Sequence, residues 1–144
     1  LHPRVRRQRQ MCIRDSHRTS DKVKISTRLP DSLSPVRLNI ALFEWVIENL
    51  CKNAIDAMGG VGVLVISVHE TSRYWYIDVA DTGKGIDKRY FETVFAPGYT
   101  TKKRGWGLGL SLARRIVVEY HSGSIFVKQS EINKGTIFRI ELKK

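Results

Sequence analysis

Three glycines at alternate positions, Gly105, Gly107 and Gly109, stand where an amphipathic helical pattern begins. Glycine costs a helix about 1 kcal/mol relative to alanine, so its repetition at a helix start needs a compensating gain. Backbone N–H groups at such a start can face an anion, and the helix dipole favours negative charge there. Basic residues fill positions 102–104 just before. The stretch therefore predicts phosphate binding.

This glycine run is neither of the two common phosphate loops. The dinucleotide fingerprint G-x-G-x-x-G follows a strand, whereas the run here follows a segment of a dozen residues without a core pattern. The Walker pattern G-x-x-x-x-G-K-[ST] is absent from the chain. We predict that the segment 96–107 is a lid, poorly ordered without its ligand.

Two asparagines, Asn49 and Asn53, lie four residues apart in a helical pattern, so they project side by side. Asparagine is a mediocre helix former, and two in one helix need a reason. One interpretation is a solvated helix face. The other is an oxygen-rich edge over a cleft that holds Mg²⁺, which takes oxygen ligands together with phosphate and water.

The stretch "DVADTGKGI" places Asp81 at the end of a strand and Gly83 and Gly85 in the turn that follows. Glycines there allow positive φ and the close approach of a flat ligand to the backbone. A carboxylate at the base of such a pocket can accept a hydrogen bond from an exocyclic amine, as on adenine. The alternative is an ordinary turn at a strand end.

The periodicity predicts the elements that position these residues. One helix over 40–58 is predicted to be capped by Asn39 and stopped by the glycines at 59–60. It carries an apolar stripe of Phe43, Ile47, Leu50, Ala54 and Ala57. A second helix over 108–121 carries Leu108, Leu112, Ile116 and Tyr120. A short helix over 87–95 is predicted to be capped by Asp87. Strands are predicted over 22–29, 62–70, 74–81, 124–130 and 135–142. Helices mixed with hairpins indicate one mixed sheet with helices on a single face.

Composition narrows the class of protein. The 144 residues suffice for one domain, and no apolar run reaches the roughly 18 residues that a membrane span needs. Residues 1–22 hold seven basic residues against two acidic ones, close to half of the net charge of +11. "RRQRQMCIRDS" resembles a translated library adapter, so we predict that 1–22 is a disordered, non-native basic tail and that 23–144 is the domain.

In their order along the chain, these features resemble the ATP-binding catalytic domain of bacterial sensor histidine kinases, whose superfamily includes gyrase-type ATPases, mismatch-repair ATPases and heat-shock chaperones. "ENLCKNAIDAM" is similar to the N box, "DTGKGI" to the first glycine box and "VFAPGYTTK" to the phenylalanine box. "GWGLGLSLARRIV" is similar to the second glycine box, and "KGTIFRI" to the last.

The resemblance implies a Bergerat-type fold, a two-layer α/β sandwich with a mixed, mostly antiparallel sheet, helices on one face, and ATP between helices and lid. It implies catalytic roles for Asn53 as the Mg²⁺ ligand, for Asn49 beside it on the phosphates, and for Lys102 on phosphate oxygens. The implied nucleotide contacts also include Asp81 at the adenine amino group, Gly83, Gly85, Ile86, Phe95, Thr101, Gly107, Leu108, Gly109 and Thr136.

One departure from the superfamily bears on the reaction. In the ATPase relatives, a glutamate four residues before the metal asparagine activates water, and here that position is Asn49. An amide cannot act as a general base at neutral pH, so the substitution favours phosphoryl transfer over hydrolysis. Glu48 is adjacent but rotated about 100° around the helix.

The resemblance also implies partners. Such a kinase phosphorylates a histidine on an upstream helical hairpin, and none of His2, His17, His69 and His121 lies in that context. We therefore expect a cytoplasmic fragment that is itself monomeric and comes from a homodimeric kinase. The full kinase is either cytoplasmic or a membrane-bound sensor. The expected partners are ATP, the upstream dimerisation domain and a response regulator. One alternative is a free-standing ATPase or serine kinase of the same superfamily. Another is a basic nucleic-acid-binding module, which we disfavour because the excess positive charge clusters on the tail and the lid.

Overall fold

The computed structural model describes residues 22–99 and 109–144. The two longest helical elements there are α1 (Ile40–Ala57) and α2 (Gly109–Arg115), and the second continues as a π-helical turn over Ile116–Tyr120. The strands are β1 (Val23–Arg28), β2 (Gly62–Glu70), β3 (Tyr74–Asp81), β4 (Gly123–Glu131) and β5 (Gly135–Lys143).

The five strands form one sheet in the order β1-β2-β3-β5-β4. Strand β1 pairs parallel to β2, and the other three pairings are antiparallel. One face of the sheet carries alternate apolar residues such as Ile77, Val79 and Ile140, which form one core with the helices. The predicted α/β sandwich, with a mixed sheet and helices on one face, is thereby confirmed.

Helix α1 begins and packs as its sequence predicts. The side chain of Asn39 caps it by accepting a hydrogen bond from the backbone N–H of Leu42 at 3.1 Å. Gly59 and Gly60 follow its end with positive φ angles of 64° and 80°. The buried face consists of Phe43, Val46, Ile47, Leu50, Cys51, Ala54 and Ile55. The apolar face predicted from the amphipathic pattern is thus the face that is buried against the sheet.

The predicted apolar stripe of the second helix is wrong for Leu112 and Tyr120, whereas Ile116 does pack against the core and Leu108 lies outside the described residues. Leu112 is 40% exposed and Tyr120 is 64% exposed, whereas Ala113 and Val117 are fully buried. Both sets have a four-residue spacing, and the face carrying the smaller side chains is the one that packs in the core. The larger apolar side chains of Leu112 and Tyr120 therefore do not mark the buried face of this helix.

His121 joins the ends of the two helices. Its Nε2 accepts a hydrogen bond from the backbone N–H of Asn39 at 3.0 Å, so the ring proton lies on Nδ1, which is 3.1 Å from the carbonyl oxygen of Ile116. The ring also packs edge-on against Phe43. The start of α1 and the end of the π-helical turn are therefore held together at the end of the sheet away from Asp81.

The predicted short helix over 87–95 is instead two 3₁₀ turns, Lys88–Tyr90 and Thr93–Phe95. Asp87 does cap the first, accepting from the backbone N–H of Arg89 at 3.0 Å. The second turn buries Val94 and Phe95. The bounds of a single helix are therefore wrong, whereas the predicted cap is confirmed.

The sheet face opposite the helices carries a shielded ion pair between β3 and β5. Arg139 binds Asp78 through two hydrogen bonds, Nε to Oδ1 at 2.8 Å and Nη2 to Oδ2 at 2.9 Å. The guanidinium also lies 4.7 Å from the centre of the Tyr76 ring, and Lys128 lies 3.8 Å from the same carboxylate. Asp78 is 7% exposed as a result.

No helix within 22–99 or 109–144 has both the length and the apolarity to cross a membrane.

Candidate functional site

Asp81, the last residue of β3, brings a carboxylate to the helix-covered face of the sheet. It is 7% exposed, and its Oδ1 accepts a hydrogen bond from the backbone N–H of Gly83 at 2.8 Å. Burial raises the pKa of this carboxyl above its ordinary value of 3.8, while hydrogen bonds from the backbone of Gly83 and Thr136 oppose the rise. The site therefore contains a desolvated acceptor held in a fixed orientation by two backbone donors.

Thr136 lies beside Asp81, because the two residues are direct partners in the β3–β5 ladder. Thr136 is 4% exposed, and its hydroxyl lies 2.7 Å from the hydroxyl of Ser130 on β4. The Ser130 oxygen in turn accepts from the backbone N–H of Ile86 at 2.7 Å. A carboxylate and two hydroxyls thus meet where three strands and the glycine turn converge.

The glycine turn after β3 is packed between α1 and the β4–β5 hairpin. A Cβ added to Gly83 would lie 2.5 Å from the carbonyl oxygen of Ala57, at the end of α1. Gly85 has a φ of +78°, and a Cβ there would overlap the carbonyl group of Glu131. Neither glycine can take a side chain without moving the turn.

Replacing Gly85 by alanine is expected to lower the free energy of unfolding by about 2 kcal/mol or more, because it combines a positive φ with a steric overlap. Chemical denaturation measures this. Gly98→Ala is the matched control, since Gly98 has a φ of +84° but open space around its Cβ position. Equal losses in the two variants would show that the contact with Glu131 is unimportant.

The two asparagines of α1 lie on the helix edge that borders α2. Asn49 donates from Nδ2 to the carbonyl oxygen of Trp45 at 3.0 Å, and its Oδ1 lies 3.0 Å from the Cβ position of Gly109. A side chain at Gly109, the first residue of α2, would therefore crowd this amide. Asn53 lies one turn further along α1 and is partly exposed. Amide oxygens of this kind suit Mg²⁺ when phosphate and water complete its coordination.

Glu48, the neighbouring acid, is engaged elsewhere. Its Oε1 lies 3.2 Å from the ammonium group of Lys52, one turn along the helix. An exposed pair of this kind is weak, but it directs the carboxylate toward Lys52.

Phe95 is buried rather than open to a ligand. It is 3% exposed, its ring meets that of Phe138 edge-on at 6.0 Å, and the guanidinium of Arg114 lies 4.4 Å from its centre. Arg114 also binds Glu92 through two hydrogen bonds of 2.8 and 3.1 Å. Through these contacts the ring holds the second 3₁₀ turn against α2. A nucleotide contact by Phe95 stays a prediction.

The structure brings one group of the predicted site residues together at the end of the sheet: Asp81, Gly83, Gly85, Ile86 and Thr136. Asn49 and Gly109 meet at the boundary between α1 and α2. The remaining predicted residues Thr101, Lys102, Gly107 and Leu108, and most of the predicted lid, lie outside the described residues. Their roles, like that of the tail at 1–22, stay predictions.

Ser130 was not identified from the sequence as a residue of the site. The pattern "SIFVKQS" places Ile125 and Val127 on the core face, and regular alternation would then place Gln129 there and Ser130 outside. A β-bulge between Val127 and Gln129 reverses this, because Lys128 is an extra residue in the pairing with β5. The polar run Lys128–Ser130 after an alternating strand was the only available signal.

Comparison with known proteins gives a consistent result. The profile of the family described as histidine kinase-, DNA gyrase B- and HSP90-like ATPase matches residues 39–144. Sensor histidine kinase ZraS of Escherichia coli (strain K12) is 35% identical over 123 residues, which are 85% of this chain and 26% of ZraS. Sporulation kinase C of Bacillus subtilis (strain 168) is 38% identical over 97 residues, 67% of this chain and 22% of that kinase.

Solved structures agree with these relatives. A nucleotide-free catalytic domain of histidine kinase ThkA superposes with a TM-score of 0.84 at 26% identity, covering 100% of this chain and 94% of that one. A crystal structure of ThkA in complex with the response regulator protein TrrA has the same fold, with a TM-score of 0.82. The chain spans about a quarter of the length of the curated relatives described above.

Proposed function

The chain belongs to the family of histidine kinase-, DNA gyrase B- and HSP90-like ATPases, whose domain binds ATP, and from this premise we propose that it is the catalytic domain of a sensor histidine kinase. It would donate the γ-phosphate of ATP to a histidine on a helical dimerisation hairpin of the same protein, with a response regulator as the next acceptor. The relatives support this class, since those named above are sensor or sporulation kinases.

The observation that carries the proposal is the fixed carboxylate of Asp81 beside Thr136 at one end of the sheet. A buried acceptor, with two backbone donors on it and a glycine turn above it, suits a flat base that presents an amino group. The amide edge of α1 lies next to the start of α2, where phosphates would meet backbone N–H groups.

Asn53 is the residue we assign to Mg²⁺. When bound, the metal would supply charge neutralisation on the phosphate oxygens during transfer. Asn53 would contribute one amide oxygen, and the triphosphate and water would complete the coordination. Asn49 would orient the phosphates from the turn before.

Transfer to an amino-acid acceptor is favoured over hydrolysis by the residues beside the metal position. Asn49 presents an amide where the ATPases carry a base, and its Nδ2 is engaged by the carbonyl of Trp45. Glu48 pairs with Lys52 along the helix. Neither side chain is placed to remove a proton from water, so catalysis rests on positioning and electrostatics.

The test is phosphate transfer by the longer protein that carries this chain, incubated with γ-labelled Mg·ATP. We expect label that is stable to alkali and labile to acid, as a phosphohistidine is, and then transferred to a response regulator. The 144-residue chain alone should bind ATP but release phosphate slowly. Sustained phosphate release by the chain alone, without transfer, would favour a free-standing ATPase, and alkali-labile label would favour a serine kinase.

A further inference from the structure

We propose that Ser130 is a positioning residue for the nucleotide base, acting through the hydroxyl of Thr136 and the glycine turn that carries Gly83. The inference rests on the proposed function, since it concerns how the same site recognises its base. Ser130 itself need not touch the nucleotide.

The β-bulge is what brings Ser130 to the site. Val127 pairs with Phe138 on the core face, and after the extra residue Lys128 the pairing resumes with Gln129 opposite Ile137. Ser130 is then the direct partner of Thr136 and shares its face. Bulges near functional sites commonly redirect a side chain in this way. A regular strand would turn the hydroxyl of Ser130 toward the opposite face of the sheet.

The three contacts of the Ser130 hydroxyl determine where its proton lies. A hydroxyl has one proton and two acceptor lone pairs. The carbonyl oxygen of Gly135, 3.0 Å away, can only accept, so Ser130 donates to it. The Ser130 oxygen then accepts from the N–H of Ile86 and from the hydroxyl of Thr136, both at 2.7 Å.

This arrangement commits the proton of Thr136 to Ser130 and leaves acceptor lone pairs on Thr136. Asp81 beside it is also an acceptor, so the two side chains offer a ligand lone pairs rather than protons. The bond to Ile86 also holds the turn whose Gly83 N–H orients the Asp81 carboxylate. Ser130 therefore favours a base that donates from an exocyclic amine, as adenine does from its 6-amino group.

The experiment compares two nucleotides with the 144-residue chain by calorimetric titration in the presence of Mg²⁺. One is a nonhydrolysable ATP analogue, and the other is the same analogue built on purine riboside, which lacks only the 6-amino group. In wild type we expect the amino group to strengthen binding. In Ser130→Ala the ratio of the two affinities should fall about tenfold, the effect of one hydrogen bond. Ser124→Ala, on the same strand but the opposite face, should leave the ratio unchanged.

Further variants separate positioning from a general structural role. Ser130→Thr retains the hydroxyl and should restore the ratio. Thr136→Val should lower the ratio by itself, and adding Ser130→Ala to it should lower the ratio by less than Ser130→Ala does in wild type, because only the contact with the glycine turn then remains to be lost. Ser130→Cys, which keeps a polar side chain of similar shape but has a slightly larger and much weaker hydrogen-bonding group, replaces Ser130→Ala if the alanine variant does not fold.

The outcomes are distinguishable. An unchanged ratio in Ser130→Ala and Ser130→Cys, with wild-type binding intact, would overturn the inference and leave the proposed function standing. Additive losses in the Thr136→Val background would also overturn it. Absence of ATP binding by the wild-type chain would overturn both.

Discussion

Alanine at position 53 is expected to weaken the binding of Mg·ATP to this chain roughly 100-fold, since loss of residues that support a bound metal typically costs 10- to 100-fold. Asn53 is the amide we assign to Mg²⁺ on the edge of α1 beside Asn49. Titration calorimetry with and without excess chelator measures the effect. The loss should be confined to the metal-containing series, because Asn53 acts on the metal and not on the base.

Lys52→Ala is the matched control for this substitution. Lys52 is the neighbouring residue on α1. Its side chain is 54% exposed, and its ammonium group lies 3.2 Å from the partly exposed carboxylate of Glu48. We expect its effect on affinity to be within about twofold, because exposed pairs contribute little. Equal losses for Asn53→Ala with and without Mg²⁺ would contradict a metal role.

Asparagine in place of Asp81 is expected to weaken ATP binding roughly 10- to 100-fold, the range for a hydrogen bond to a charged group. The amide keeps the size of the side chain but loses the charge and one acceptor oxygen. Nucleotides without the 6-amino group should lose much less. Asp87→Asn is a suitable control, because Asp87 is also an aspartate that accepts from backbone but lies on the exposed 3₁₀ turn. A loss shared by all nucleotides would contradict base recognition by Asp81.

We expect Asp81 to make ATP affinity and folding stability change in opposite directions as the pH falls. Its folded-state pKa is raised by burial above 3.8, so the folded chain holds this proton more tightly than the unfolded chain. As pH falls from neutral through the raised pKa, the contribution of Asp81 to folding stability therefore increases. Over the same interval the protonated carboxyl loses acceptor strength and ATP affinity should fall. Comparing wild type with Asp81→Asn in both measurements isolates these two trends.

Most of the fold could be predicted because α1 and most of the strands each show one clear period of apolar residues. Helix α1 has a cap at Asn39, a continuous apolar stripe and a glycine stop, and all three occur in the structure. The strands alternate except at the bulge in β4, and the hairpins follow from their turns. These signals are local, so the sequence reveals them without any knowledge of the tertiary contacts.

What could not be predicted depends on tertiary packing. In the second helix, two faces have the same four-residue spacing, and only contact with the rest of the core selects Ala113 and Val117 over Leu112. Phe95, in the second 3₁₀ turn, packs against Phe138 and Arg114, and both of these partners are distant in sequence. Ser130 depends on an extra residue in one strand pairing, which no local period reveals.

The ion pair between Asp78 and Arg139 has a consequence for the opposite face of the sheet. The apolar neighbours along β3 and β5 resemble one another, so hydrophobic contacts alone would tolerate an alignment of the two strands that is shifted by two residues. A slip of two residues would keep Phe138 and Ile140 on the core face but would separate Arg139 from Asp78 and leave that buried carboxylate without its bidentate partner, which is costly. The pair thereby acts as a register lock, and the same alignment sets Asp81 opposite Thr136 three residues away. The strand alignment at the proposed base-binding end is thus maintained from a sheet face that points away from it.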